Sequence, residues 1–173
     1  MTYNFTLWAS GTNGEGSSLV VFSLIKAIIV DQHIDSILIV YSSGSSLASL
    51  IDLIPDNVFS SLDHRNIHFK CLPAIVRSYP LHFLLKLLLI PSFFSRSLLT
   101  IDDFPFLFGH NQILYCHQAN LLFNCSYLWR LKFLIFRILV NKSLVFFTQT
   151  EHMKSGLKLF FPRHRFISFL HLP

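Results

Sequence analysis

Residues 36–42 read SILIVYS, an unbroken apolar run rich in β-branched side chains. Such a run is stable as a strand only when both faces of its sheet are covered, which is the situation in parallel α/β sheets. Shorter or alternating runs of the same character occupy 5–9, 66–72, 97–103, 112–117, 143–149 and 165–170. Helix-like segments lie between them at 17–30, 47–54, 79–96, 126–142 and 150–160. The first of these has apolar residues at 19, 20, 24, 27 and 28, and the last opens on Thr150 as cap with Glu151 in its first turn and Lys158 near its end. Pro91 predicts a kink or a stop within 79–96. Strand–helix alternation of this kind specifies one α/β domain with a mainly parallel sheet.

The 173 residues suffice for one domain with a real core, and 52% apolar against 13% charged residues excludes a disordered chain. The formal charge is +5 without the nine His, and Phe is used 19 times. A basic, Phe-rich chain predicts an anionic neighbour, either membrane lipid or nucleic acid. No RNA- or DNA-binding signature or dense basic run is present, which favours the membrane surface and no nucleic acid. The first ten residues have no basic start, so no leader is expected. The apolar stretch 81–94 is too short to span a bilayer and is broken by Lys86 and Pro91. The expected location is cytoplasmic, peripheral to the membrane. Cys71, Cys116 and Cys125 form no CxxC pair and read as reduced, mostly buried thiols.

In a parallel sheet, ligands sit at the carboxyl ends of the strands. The polar clusters fall there: SGTNGEG, SSGSS, DDFP, HQAN and QTEHMK each follow a strand-like run. The glycine loop does not match its usual meanings. Gly11 to Ser18 resembles a P-loop, but Ser17 stands where the phosphate-binding lysine belongs. As a dinucleotide fingerprint its spacing is G-x-x-G-x-G, and the next strand ends in VYSSG without the acid that would hold a ribose. A tight turn that uses Gly for backbone shape competes with a loop that approaches a neutral or singly charged group.

His117 follows a buried strand, where it can act as a base, orient a hydroxyl or simply bond a loop carbonyl. Gln118 and Asn120 beside it are neutral donors and acceptors that suit sugar hydroxyls better than a metal. Asp102 and Asp103 are adjacent on a strand end and point to opposite faces, so they are not an acid–base pair, and capping explains them more simply. The remaining His show no ligand spacing, and no metal site is proposed. No G-x-S-x-G elbow supports Ser-His-Asp chemistry. Leu and Phe go nearly all round 81–94, so part of that helix is expected to meet a lipid interface, with Arg77, Lys86 and Arg96 as membrane-facing cations. Helix 126–142 adds Arg130, Lys132, Arg137 and Lys142.

Three segments, NGEGSSLVVFSLIKAI, IDDFPFLFGHNQILYCHQANLLF and LVFFTQTEHMKSGL, occur in an order that resembles the N-terminal domain of bacterial GT-B glycosyltransferases of surface-polysaccharide type. The resemblance covers nearly the whole chain. It implies a single Rossmann-like domain with helices on both faces of the sheet, the acceptor-side half of a sugar-nucleotide-dependent enzyme. It also implies that His117 positions the attacking hydroxyl or stabilises the transition state. Gly14, Glu15, Gly16, Asp103, Gln118, Asn120, Gln149, Thr150 and Lys154 would form the cleft. The implied co-substrate is a sugar nucleotide, with no tightly bound cofactor. The implied partners are a lipid-linked or saccharide acceptor, an anionic membrane surface, and a separate chain carrying the donor-binding domain, which residues 1–173 do not include.

Two other functions fit the residues: a non-catalytic binding or scaffold domain at the membrane, favoured by the apolar, basic helices, and a small Rossmann-like oxidoreductase, disfavoured by the acid-free second strand.

Overall fold

A computed structural model of the chain describes residues 3–11, 15–30, 36–55, 67–93, 95–101, 105–108, 110–116, 131, 134–135, 137–138 and 140–168. Seven strands form one all-parallel sheet: β1 Tyr3–Trp8, β2 Ile37–Ser42, β3 Ile67–Leu72, β4 Ser95–Ile101, β5 Gln112–Cys116, β6 Val145–Thr148 and β7 Arg165–Ser168. Their order across the sheet is β3-β2-β1-β4-β5-β6-β7. The described helices are α1 Glu15–Val30, α2 Ser46–Ile51, α3 Tyr79–Leu88 and α4 Glu151–Phe160. This is a Rossmann-like α/β domain.

The period-2 geometry of a strand explains the unbroken apolar run of β2. Ile37 and Ile39 join Leu7, Ile101 and Ile67 under α1 and α2, where Val21, Ile25, Leu47 and Ile51 close the core. Leu38 and Val40 point the other way, into a cluster with Trp8, Leu98 and Phe106. Both faces are covered, so neither set of positions can be polar. A further cluster packs Met153 and Leu157 of α4, one turn apart, on Leu114, Cys116 and Phe146.

The local signals for helix ends act as chemistry predicts. Thr150 Oγ1 accepts from the Met153 amide at 3.2 Å, and Ser45 Oγ accepts from the Ala48 amide at 3.1 Å. Each satisfies one of the amides that a helix start leaves without a partner. The turn before α2 needs a left-handed residue, and Gly44 supplies it at φ 66. The segment 79–96 stops as a helix before Pro91, as expected, but its last residues already belong to β4. Its helix stops at Leu88, because Leu89 is already extended at ψ 135, two residues before Pro91. A 3-10 turn over Pro91–Phe93 follows, and β4 begins at Ser95, whose partner on β1 is Tyr3. Within the expected helix 126–142, Leu131, Leu134, Ile135, Arg137 and Ile138 are helical, and residues 126–130 lie outside the described residues.

His164 lies edge-on to Phe146 and Phe161, with ring centroids 5.7 and 5.5 Å away. Burial pushes its imidazole below the usual histidine range, and the Asn141 main chain opposes that shift more weakly. A histidine that resists protonation when folded stabilises the protein fully above its unfolded value of 6.5, and that stability is lost as pH falls below it. Urea midpoints measured at pH 7.5 and 5.5 should therefore drop for the wild type and drop less for His164→Phe. Equal drops would contradict this account.

No helix among the described residues is long and apolar enough to cross a membrane.

Candidate functional site

The strand order reverses direction between β1 and β4, and in open α/β sheets the crevice outside the carboxyl ends at such a switch point is where ligands bind. The chain leaves β1 through Ala9, Ser10 and Gly11 and leaves β2 through Ser43, Gly44 and Ser45. These two exits are stitched together by hydroxyls. Ser45 Oγ donates to the Ser42 carbonyl at 2.7 Å, and Ser42 Oγ donates to the Ser10 carbonyl at 2.7 Å. Ser10 Oγ meets His82 Nδ1 of α3 at 3.5 Å. Ser10, Ser42, Ser45 and His82 are all buried. The sequence shows SSGSS only as a turn with caps. The signal for this relay is a hydroxyl cluster directly abutting a fully apolar strand. Ser42 occupies the strand end where a dinucleotide site would place its ribose-binding acid, and its hydroxyl is turned inward onto Ser10.

On the other side of the switch point, a glutamine at the start of β5 clamps the β4–β5 connection onto the face of the sheet. Gln112 Oε1 accepts from the Phe106 amide at 2.7 Å and from Thr100 Oγ1 at 3.4 Å, while Nε2 donates to the Phe106 carbonyl at 3.1 Å. The clamp seats Phe106 against Trp8, ring centroids 4.9 Å apart and nearly perpendicular. Residues 105–108, which follow the DDFP cluster's two acids, are thereby fixed over β4 and β5. Sequence reading takes Gln112 merely as the polar start of a strand.

Gln149 Nε2 donates to the Tyr115 hydroxyl at 2.8 Å, tying the end of β6 to the end of β5. Thr150 is the cap of α4. Lys154 is engaged with Glu151 at 3.1 Å, and Glu151 also accepts from Ser168 Oγ of β7. Those two partners, Ser168 first, hold the Glu151 carboxyl below the usual carboxylate range. The three residues Gln149, Thr150 and Lys154 thus share the β6–α4 corner. Glu15 and Gly16 stand exposed at the start of α1, after β1. Three strand spacings separate the ends of β1 and β6, about 14 Å, so both groups flank one rim without touching. Gly14, Asp103, His117, Gln118 and Asn120 lie outside the described residues. Chain connectivity joins His117 directly to Cys116, the last residue of β5.

Beside the rim is a cleft of about 390 Å³ between α1 and α2. Leu19, Leu50 and Leu53 give it apolar walls, and Glu15, Ser46 and Ser49 supply the polar groups. An apolar cavity with a few polar side chains is the usual form of a small-molecule site. Among the described residues no cluster of His, Cys, Asp or Glu could hold a metal ion.

Gly16 shows that its glycine is not demanded by packing. A Cβ built there meets nothing within 4 Å. Gly16→Ala should leave folding intact and stabilise α1 by about 0.5–1 kcal/mol, the usual difference between these residues in a helix. Thermal melts check this, and a destabilised variant would mean that the helix start is more crowded than described.

The reading of Lys86 as a membrane-facing cation is corrected. Lys86 is only 1% exposed, with its ammonium 5.7 Å from the Phe106 ring centre and its carbonyl accepting from the Leu107 amide at 3.1 Å. The segment held by the Gln112 clamp covers it. Arg77 follows β3 at the carboxyl edge, whereas Arg96 is the second residue of β4 at the amino edge. Lys86, being buried, shares no surface with the exposed Arg96. The apolar exposure expected of this region is present without them: Leu84 and Leu88, one turn apart on α3, and Phe93 beyond it are exposed.

Comparison with protein-family models, curated proteins and solved structures finds no match to this chain.

Proposed function

We propose that this chain is the acceptor-binding half of a sugar-nucleotide-dependent glycosyltransferase of cell-surface polysaccharide synthesis, acting with a donor-binding α/β domain that these residues do not include. One observation carries the reading: the segments that resemble the family emerge in order at the carboxyl edge of a parallel sheet. The glycine loop follows β1, Asp103 follows the end of β4, His117 follows β5, and Gln149, Thr150 and Lys154 follow β6. That edge, with its switch point, is where an acceptor can be offered to a sugar nucleotide held by a facing domain. Support also comes from the apolar cleft beside Glu15, which suits a lipid-linked sugar better than a highly charged cofactor.

In this reading the rim orients an acceptor hydroxyl through neutral donors and acceptors, Gln118, Asn120 and Gln149 among them. His117 takes the hydroxyl proton, or orients it, as the new glycosidic bond forms and the nucleoside diphosphate leaves. The protein would work on the cytoplasmic side, peripheral to the membrane.

Amide hydrogen exchange tests the acceptor site. With a panel of detergent-solubilised polyprenyl-diphosphate monosaccharides as probes, protection is expected at Ser10–Gly11, Ser43–Ser45 and Gln149–Lys154. Protection confined to other elements, or none with any probe, would defeat the reading.

A further inference from the structure

The amino edge of the sheet carries a second cavity, unrelated to the carboxyl-end rim. It holds about 380 Å³ and lies where β6 and β7 begin. Arg137, Lys142, Arg163 and His164 line it, with Ile138 and Phe160 beside them.

Two bland explanations of this basic cluster fall short. Cations often collect at helix C-termini to offset the macrodipole, and α4 ends here at Phe160, as does the helical stretch within 131–138. Each helix end supplies about half a negative charge, so two supply about one. Three permanent cations exceed that by about two positive charges. Among the described residues ion pairing does not absorb the excess either. From residue 104 onward the chain has eight Lys and Arg against one acid, Glu151. That acid begins α4 at the opposite edge of the sheet and is held by Ser168 and Lys154.

The surround is apolar and exposed. Ile138, from the helical stretch within 131–138, and Phe160, at the end of α4, line the cavity and are both exposed. A cationic pocket ringed by exposed aliphatic and aromatic side chains matches an anionic lipid, with the head group in the pocket and the apolar rim at the acyl boundary.

We propose that this pocket binds the phosphomonoester head group of an anionic membrane lipid. A phosphomonoester carries about 1.5 to 2 negative charges at neutral pH, which fits the uncompensated charge. Arg163 and Arg137 present guanidinium forks suited to phosphate oxygens, and Lys142 adds a point charge. The His164 ring closes the inner wall between Phe146 and Phe161. This inference is independent of glycosyl transfer: it uses the opposite edge of the sheet and none of the rim residues.

Vesicle flotation with the full chain tests it. The vesicles are phosphatidylcholine with and without phosphatidic acid, and inorganic phosphate is titrated separately by calorimetry. Each cation near an anionic surface contributes about fivefold to partitioning. Retention on phosphatidic acid is expected to fall about fivefold for Arg163→Gln, and similarly for Lys142→Gln. Both side chains are exposed, so the variants should fold, and thermal melts check that they do. Lys70→Gln, the same charge loss on β3 at the far end of the sheet, should change retention little. No retention of the wild type, or equal losses for Lys70→Gln and Arg163→Gln, would overturn the proposal. Calorimetric binding of inorganic phosphate without vesicle retention would also overturn it, assigning the pocket to a soluble phosphate.

Discussion

Gln112→Ala is expected to lower the unfolding free energy by about 3 kcal/mol, the largest loss for any single polar side chain described. The side chain is 1% exposed and satisfies both main-chain groups of Phe106. Removing it leaves an amide and a carbonyl buried without partners, at roughly 1–3 kcal/mol each, and opens space beside Thr100. Phe106 then loses the hold that keeps it on Trp8 and over the Lys86 stem. For a chain of this length the melting temperature should fall by about 6–12 °C. Gln112→Glu separates hydrogen bonding from volume. It keeps the shape, but an ionised carboxylate cannot donate to the Phe106 carbonyl, so it should fare no better than Ala. Urea midpoints decide the matter. A Gln112→Ala variant within 0.5 kcal/mol of wild type would show, by this order-of-magnitude scale, that the clamp is dispensable.

His117→Ala is expected to reduce glycosyl transfer by about 10²- to 10⁴-fold, the range for loss of a positioned general base. Under the proposed function the loss should fall mainly on kcat, because there the acceptor would be held by the neutral groups of the rim and not by this imidazole. A base of this kind also leaves a mark on the pH profile. The acidic limb of kcat/KM should report a histidine-like value in the wild type and flatten in the variant. A rise in KM alone, with kcat and the pH profile unchanged, would make His117 a binding residue and remove it from the chemistry. Gly16→Ala, which packing permits, is a companion probe. If it folds as well as wild type yet transfers more slowly, the loop after β1 approaches a ligand.

Much of the fold was legible because its strands are short, apolar and bounded by polar clusters. All seven strands and α1 and α4 fall within about two residues of the positions expected from periodicity and caps, and α2 ends three residues early. The order β3-β2-β1-β4-β5-β6-β7 was not legible, since local pattern carries no record of which strands become neighbours. Lys86 was misread for a related reason. A lone lysine in a Leu-rich helix looks interfacial, but Phe106, twenty residues further on, folds over it. The Ser10–Ser42–Ser45 relay and the Gln112 clamp were invisible because small or neutral polar residues announce burial only once their long-range partners are known. The strand-end positions of the SSGSS and QTEHMK clusters were legible from the strand pattern. The rim's geometry at the described positions adds a divided surface, with Glu15 and Gly16 on one flank and Gln149, Thr150 and Lys154 on the other.

The most direct test of the acceptor-half account is sugar transfer itself. The chain is mixed with a GT-B donor-binding domain, radiolabelled sugar nucleotides are supplied in turn, and label is followed into polyprenyl-linked saccharides. The account predicts transfer that requires both components and collapses with His117→Ala. Transfer that the donor-binding domain performs equally well alone, or that His117→Ala leaves unchanged, would contradict it.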